Sequence, residues 1–183
     1  MSAGFSPFTE LKTTRLHLRM LSETDIPDIL FLRSDPGINK YIRRQKMTGP
    51  EEALDFILRI HADISEERCL YWAISLTSDP KLIGVICLWK FSVDRRIAEL
   101  GYELKPEFHH QGIMREAVTC VLRFGFEHIF LEEIEAFTNK KNKNSISLLK
   151  KNGFMRLIER IDSDNPSNII FALTPDRLVS FAG

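Results

Sequence analysis

Residues 98–126 read AELGYELKPEFHHQGIMREAVTCVLRFGF and place a strand, a loop and a helix in the order that decides the fold. We expect the strand to end near Leu104, because Pro106 cannot continue it, and the helix to begin around Gly112. The apolar residues of that helix share one face: Ile113, Met114, Ala117, Val118, Val121, Leu122 and Phe124. The free backbone N–H groups at its start predict a site for a phosphate or pyrophosphate.

This loop has a second interpretation, a strand-to-helix turn in which glycine is merely convenient. Gly112 has no side chain and would let the backbone approach a ligand closely. The segment is neither GxGxxG nor GxxxxGK[ST], which excludes dinucleotide-binding and P-loop motifs.

Outward from this segment, strands alternate with helices. Before it, a strand at 15–20 and helices beginning after Ser22 and Thr48 precede strands at 71–76 and 82–91. Short links between the central strands predict antiparallel pairing. After it, the expected order is a strand at 131–138, a helix at 144–152, and strands at 154–161 and 169–173. This order predicts an α+β (mixed α/β) sheet, in one domain spanning residues 1–183.

The composition excludes several classes of protein. The chain has 183 residues, 44% of them hydrophobic, with 25 basic and 25 acidic residues. A net charge of zero makes nucleic-acid binding an unfavoured function. No apolar run approaches the ~18 residues of a membrane span, and the N-terminal stretch lacks the pattern of a secretory signal, so we expect a cytoplasmic protein. The three cysteines and five histidines show no disulfide framework or metal-ligand spacing, so we expect no metal.

A second segment, NKKNKNSISLLKKNGF at 139–154, joins a strand to a short helix. Asn142 and Ser145 fall where helix caps occur, and Gly153 ends the helix as C-terminal glycines do. Its five lysines form either a solvated face or a phosphate-facing surface.

Three segments in this order resemble the GNAT N-acyltransferase superfamily, in the branch of the ribosomal-protein N-terminal acetyltransferases. They are TTRLHLRMLSETD (13–25), IAELGYELKPEFHHQGIMREAV (97–118) and NKNSISLLKKNGF (142–154). The resemblance covers about residues 14–178. It implies a twisted mixed sheet, flanked by helices on both faces and splayed between the strands at 98–104 and 131–138, with acetyl-CoA in the gap.

The resemblance also implies which residues bind acetyl-CoA, with pantetheine on the strand and pyrophosphate on the loop. Asn142 and Ser145 would face the pantetheine and the thioester. Histidines stand at 109 and 110, where relatives carry other residues, and their rings can offer an N–H to phosphate. The full implied set is Tyr102, Leu104, Lys105, His109, His110, Gln111, Gly112, Ile113, Met114, Arg115, Asn142 and Ser145.

The reaction itself restricts the catalytic residues. Deprotonating a lysine-type amine at pH 7 costs about 4.6 kcal/mol, but an α-amine only about 1 kcal/mol, so a modest base is sufficient. The resemblance makes Glu99 the candidate base, because the branch's motif has a glutamate there, on the strand beside the gap. Glu103, four residues along and on the same strand face, is the alternative. A water relayed to one of these carboxylates is a further alternative.

The leaving thiolate, whose conjugate thiol has a pKa of about 8.5, needs little help from a general acid. Many members of the superfamily use a tyrosine as the donor to the leaving sulfur. None of the three tyrosines of this chain follows Ser145 in the helix predicted at 144–152 or in the loop after it, so the resemblance leaves Ser145 as the donor near the thioester. The apolar contexts of the cysteines favour direct transfer in a ternary complex over an acyl-enzyme.

The expected acceptor is a protein N-terminal α-amine, with a small amine (a polyamine or an aminoglycoside) as the alternative. We expect acceptor-site residues around 39–47 and 162–168. A non-catalytic acyl-CoA sensor on the same fold would still bind CoA without Glu99 and Ser145, and an RNA-associated protein would use the lysines at 140–151. Many relatives pair as dimers, so a homodimer is an expected partner state, and no membrane partner is expected.

Overall fold

A computed structural model describes residues 7–178, so residues 1–6 of the N-terminal stretch considered above lie outside the described part. It contains one sheet of eight strands and four α-helices. Their bounds are β1 Leu11–Lys12, β2 Leu16–Arg19, α1 Ile26–Ser34, α2 Pro50–Ser65, β3 Leu70–Leu76, β4 Asp79–Trp89, β5 Ile97–Leu104, α3 Ile113–Glu127, β6 Glu133–Asn139, α4 Lys143–Lys151, β7 Met155–Arg156 and β8 Asn168–Leu173.

The strands lie in the order β1-β2-β3-β4-β5-β6-β8-β7. All neighbouring pairs are antiparallel except β5 and β6, which are parallel. Pairing between β5 and β6 covers only 97–99 against 133–135, whereas β4 pairs with β5 as far as Leu104. The two strands therefore separate after Glu99, and the predicted splayed mixed sheet is confirmed.

Helices cover both faces of the sheet, so the central strands are buried on both sides. On one face, the even-numbered residues of β5 pack with α3 and α4 in a cluster that contains Trp72 and Phe171. On the other face, α1 and α2 pack against Tyr71 and Val85. Successive residues of β5 therefore point to opposite layers.

The entry to α1 follows the prediction at Ser22. A short 3-10 turn begins after this residue, and the Ser22 N–H donates to the Asp25 carboxylate at 2.8 Å. Asp25 is buried, and Arg19 donates to both of its oxygens at 2.8 Å. This buried ion pair joins the end of β2 to the start of α1.

The start of α2 corrects one expectation. Gly49, not Thr48, is the N-cap residue, with Pro50 in the first turn. Thr48 instead donates its hydroxyl to Glu52 Oε1 at 2.6 Å and its N–H to Oε2 at 3.1 Å. The polar residue expected at the cap thus acts one position earlier, because the glutamate reaches back past the helix end.

The strand expected at 154–161 is mostly wrong. Only Met155–Arg156 pairs with β8, at the outer edge of the sheet. Ile158 and Ile161 are 76% and 78% exposed, so their apolar side chains do not line a buried face. The chain leaves the sheet here, and Arg160 donates to Glu135 on β6.

Candidate active site

The gap between β5 and β6 exposes strand backbone. The Lys105 N–H donates to Ile83 on β4 at 2.9 Å, and the register from there to Glu99 is unbroken. In an antiparallel ladder, hydrogen-bonded and non-hydrogen-bonded residues alternate. The backbone groups of Tyr102 and Leu104 therefore point away from β4 and into the gap, where an extended ligand chain can pair with them.

The start of α3 supplies free donors beside this gap. The first helical N–H to donate is that of Glu116, to the Gly112 carbonyl at 3.0 Å. Within residues 7–178, the N–H groups from 110 to 114 donate to no protein acceptor. His110 and Gly112 have φ angles of 61° and 75°, and this left-handed backbone turns the chain sharply into the helix. Unpaired N–H groups at a helix start bind anions such as pyrophosphate.

Residues between the N-terminal strands β1 and β2 bind the loop that precedes α3 and the first turn of that helix. Glu116 accepts hydrogen bonds from the Thr13 hydroxyl at 2.5 Å and from Arg15 Nε at 2.7 Å. Arg15 also donates Nη1 to the Gln111 carbonyl at 3.0 Å. A Cβ on Gly112 would lie 3.4 Å from the same guanidinium. The TTR segment at 13–15 therefore fixes the position of the anion-binding loop.

Two predicted cofactor-binding residues have their groups engaged elsewhere. Besides its backbone bond to β4, Lys105 is buried and donates Nζ to Asp28 at 2.6 Å. The His109 N–H donates to Pro106 at 3.0 Å, and its ring Nε2 lies 3.0 Å from the Leu104 carbonyl oxygen. Neither residue presents a free donor to the gap.

Glu99 is the last residue of β5 that pairs with β6, and it lies opposite Glu135. Its carboxylate is 3.1 Å from the Lys90 ammonium. Burial raises the pKa of Glu99 above its ordinary value, and Lys90 acts in the opposite direction. A largely buried carboxylate with a raised pKa is suited to accept a proton from an amine near neutral pH.

Glu103 is held in a different way. Arg44 donates Nη1 and Nη2 to its two oxygens, each at 2.6 Å, and both side chains are nearly buried. Such a bidentate pair stabilises the charged carboxylate and occupies its acceptor positions. Its geometry fits a structural link between β5 and the segment before α2 better than a base.

A cavity of about 300 Å³ opens beside Glu99 on this face of the sheet. Carboxylates and cations line it together. Its polar lining residues are Lys90, Glu99, Glu135, Arg160, Asp162, Ser163 and Asp164, and its apolar ones are Ile97, Ala98, Phe137, Ile161 and Ile170. Residues 162–164, part of the segment 162–168 expected in the acceptor site, line this cavity. Arg43 reaches this loop, with Nη1 donating to the Asp164 carbonyl at 3.3 Å.

Ser145 lies on the opposite face of the sheet. Asn142 is the N-cap of α4, and its Oδ1 accepts from the Ser145 N–H at 3.2 Å. The Ser145 hydroxyl is 2.8 Å from the Tyr102 hydroxyl, across the gap. The predicted cap role of Asn142 is confirmed, and Ser145 is placed at the edge of the gap.

The three cysteines are free. Burial raises the pKa of each thiol, that of Cys69 to about 12. Cys69 is buried, while Cys87 and Cys120 are partly exposed although their sequence contexts are equally apolar. Among residues 7–178, no three histidine, cysteine, aspartate or glutamate side chains are grouped so that they could hold a metal ion. The α-helices of this described part are too short or too polar to span a bilayer.

Sequence reasoning missed Lys90 and Arg160, the two cations of the cavity. Lys90 follows β4 and Arg160 lies in a segment expected to be a strand, so neither stands in a recognisable motif. The role of Arg15 was also missed, although it belongs to the segment that carried the family resemblance.

Comparisons with known proteins agree with this arrangement. Residues 15–155 match the acetyltransferase (GNAT) domain family. The chain is 32% identical over 149 residues to the uncharacterized N-acetyltransferase YoaA of Bacillus subtilis (strain 168), covering 81% of this chain and 84% of that protein.

Two solved structures share the fold. The ribosomal-protein-S5-alanine acetyltransferase of Vibrio fischeri superposes with a TM-score of 0.79 at 19% identity, covering 94% of this chain and 100% of that one. The ribosomal alpha-N-protein acetyltransferase RimL, in complex with coenzyme A, superposes with a TM-score of 0.79 at 17% identity, covering 92% and 99%. By its sequence match and its splayed sheet, the chain belongs to the GNAT acetyltransferase family.

Proposed function

We propose that this GNAT acetyltransferase moves the acetyl group of acetyl-CoA directly to a protein N-terminal α-amine, with Glu99 as the base and Ser145 as the donor to the leaving sulfur. Members of this family act on amines, and acetyl-CoA is the co-substrate. The carrying observation is that Glu99 lies in a cavity on one face of β5, while Ser145 lies at the gap on the other.

The residues present fit the co-substrate. The pyrophosphate would lie on the N–H groups from His110 to Met114, which are free within the described residues. The pantetheine would pair with the backbone of Tyr102 and with the Leu104 N–H, which point into the gap, while the Leu104 carbonyl oxygen already lies 3.0 Å from His109 Nε2. Gln111, Gly112 and Ile113 contribute through their backbone, Arg115 borders the loop, and Asn142 positions Ser145.

The chemistry follows from these positions. The neutral amine attacks the thioester carbonyl and forms the new C–N bond, and Glu99 accepts the proton that the nitrogen loses. The C–S bond breaks, and its electron pair leaves on sulfur, toward the Ser145 hydroxyl. A thiolate whose conjugate thiol has a pKa of about 8.5 departs with only a hydrogen bond to stabilise it. The raised pKa values of the cysteine thiols support direct transfer without an acyl-enzyme.

The low cost of deprotonation supports an α-amine as the acceptor. Four carboxylates and two cations line the cavity, and each cation is paired with a carboxylate, Lys90 with Glu99 and Arg160 with Glu135. Lys90 opposes the rise in the pKa of Glu99, so the candidate base is a modest one. An α-amine loses its proton at a cost of about 1 kcal/mol at pH 7, against about 4.6 kcal/mol for a lysine-type amine, so a modest base is sufficient for it.

The test is titration calorimetry with acetyl-CoA followed by a thiol-release assay on a matched acceptor panel. One peptide would carry a free N-terminus, and its twin an acetylated N-terminus with an internal lysine, beside a polyamine and an aminoglycoside. We expect release only with the free N-terminus. Release with the small amines alone would replace the proposed acceptor class, and binding without any release would favour a non-catalytic acyl-CoA sensor.

A further inference from the structure

The hydroxyl groups of Tyr102 and Ser145 meet at 2.8 Å, although 43 residues separate them in sequence. Tyr102 belongs to β5 and Ser145 to the first turn of α4, which follows β6. The contact therefore spans the two sides of the gap, at the position that the proposed function gives to the departing sulfur.

Both hydroxyls have fixed surroundings. The Tyr102 ring packs against the cluster formed with α3 and α4, and the Ser145 N–H is held by Asn142. Burial raises the pKa of Tyr102 to about 12, so this phenol keeps its proton at neutral pH. A neutral tyrosine is a hydrogen-bond donor with one proton, and a serine hydroxyl can accept one hydrogen bond while donating another.

We propose that Tyr102 is a positioning residue for the donor: its hydroxyl donates to Ser145 Oγ, so that the Ser145 proton is directed to the sulfur of the thioester. This inference rests on the proposed role of Ser145. No proton is transferred between the two side chains. The electron pair of the breaking C–S bond goes to sulfur, and the Ser145 O–H, polarised by the bond from Tyr102, stabilises the developing charge.

The arrangement also explains how a proton donor can reach the leaving sulfur although α4 contains no tyrosine. A phenol still reaches the thioester region, but from the strand on the other side of the gap and through a serine. A merely structural bridge between β5 and α4 would have the same distance, so kinetics must distinguish the two roles.

The test is a double-mutant cycle of Tyr102→Phe and Ser145→Ala. We measure kcat, the Kd for acetyl-CoA and Tm. Each single change should lower kcat about tenfold, as expected for loss of one oriented hydrogen bond, with Kd and Tm nearly unchanged. Because Tyr102 acts through Ser145, the double variant should be no slower than Ser145→Ala alone.

Matched variants separate the possible failures. Tyr71→Phe makes the same chemical change on the opposite face of the sheet and should leave kcat unchanged, and Ser145→Thr, which keeps a hydroxyl, should restore most of it. If Ser145→Ala keeps full kcat, the proposed role of Ser145 fails. If Ser145→Ala is slow but Tyr102→Phe is not, or if the two losses multiply, the positioning role of Tyr102 is wrong. A lowered Tm in Tyr102→Phe with unchanged kcat would identify a structural bridge.

Discussion

The two faces of strand β5 differ in chemistry, although their residues alternate along one short segment. On the α1/α2 face, Glu99 and Glu103 are carboxylates that are each paired with one cation, Lys90 and Arg44 respectively. On the α3/α4 face, Leu100 and Tyr102 pack in the core, and Tyr102 presents a neutral hydroxyl group at the gap. The charged face suits an acceptor that loses a proton, and the apolar face suits the uncharged pantetheine arm. A strand can separate two substrates in this way because its side chains point to opposite sides.

The largest expected effect comes from removing the base. Glu99→Gln should lower kcat/KM about 10²- to 10³-fold, in the range for loss of a general base, while the Kd for acetyl-CoA changes less than about twofold, because the co-substrate binds on the other face. Steady-state kinetics and calorimetry check this.

The control is Glu103→Gln on the same face. It breaks the nearly buried bidentate pair with Arg44, so we expect a lower Tm and a smaller loss of kcat/KM than in Glu99→Gln. The reverse order of activity loss would make Glu103 the base.

The next effect concerns co-substrate binding. Gly112→Ala places a side chain at φ 75°, a conformation that costs roughly 1–2 kcal/mol for other residues, and shifts the free N–H groups. We expect the Kd for acetyl-CoA to rise about tenfold, with kcat at saturation nearly unchanged. Gly49→Ala is the matched control, since Gly49 caps α2 at φ −156° with nothing within 4 Å of the added Cβ. Equal Kd values for the two variants would argue against the anion site at α3.

A smaller effect is expected in the pH profile. Burial raises the pKa of Glu99, so the activity should fall with decreasing pH at a value above that of an exposed glutamate. Lys90→Met removes the ammonium that opposes this shift, while the nearby Asp162 and Glu135 carboxylates remain. The acidic limb of kcat/KM should therefore move to higher pH, with the rate on the alkaline side nearly unchanged. Lys81→Met, an exposed change on β4, the strand that precedes Lys90, should leave the limb in place. An unshifted limb in Lys90→Met would contradict the pairing.

The smallest effect is expected at Cys87, which lies beside the acceptor face: a Cβ on Gly101 would be 2.9 Å from its sulfur. Burial raises the pKa of this thiol, so little thiolate is present to attack a thioester. We expect Cys87→Ala to retain kcat within about twofold and no acetylated enzyme to appear by mass spectrometry. A trapped acetyl-cysteine would overturn direct transfer.

The sequence predicted the order of the elements because their signals are local. Pro106 ends a strand, Gly112 begins a helix, and Asn142 caps another. The extent of β7 could not be predicted, because the apolar residues Ile158 and Ile161 resemble a strand although they are exposed.

Most contacts between side chains in the site could not be predicted from the sequence either. Arg44 meets Glu103, and Tyr102 meets Ser145, only because the tertiary fold brings separate elements together. Periodicity assigned Glu99 and Glu103 to one face correctly, but it could not distinguish them. Their difference arises from which cation each one meets, and neither Arg44 nor Lys90 stands in a motif.

The division of labour between the two faces is tested most directly by single-turnover acetyl transfer to a peptide N-terminus across the pH range, comparing the wild-type enzyme with Glu99→Gln at saturating acetyl-CoA. The account predicts that the part of the acidic limb that Glu99 contributes is lost in the variant, so that only the titration of the acceptor amine, at a pKa of about 7.8, remains. The variant stays slow at every pH while binding acetyl-CoA normally. A variant with the same acidic limb and a similar rate would show that the base lies elsewhere and would contradict the assignment of this face.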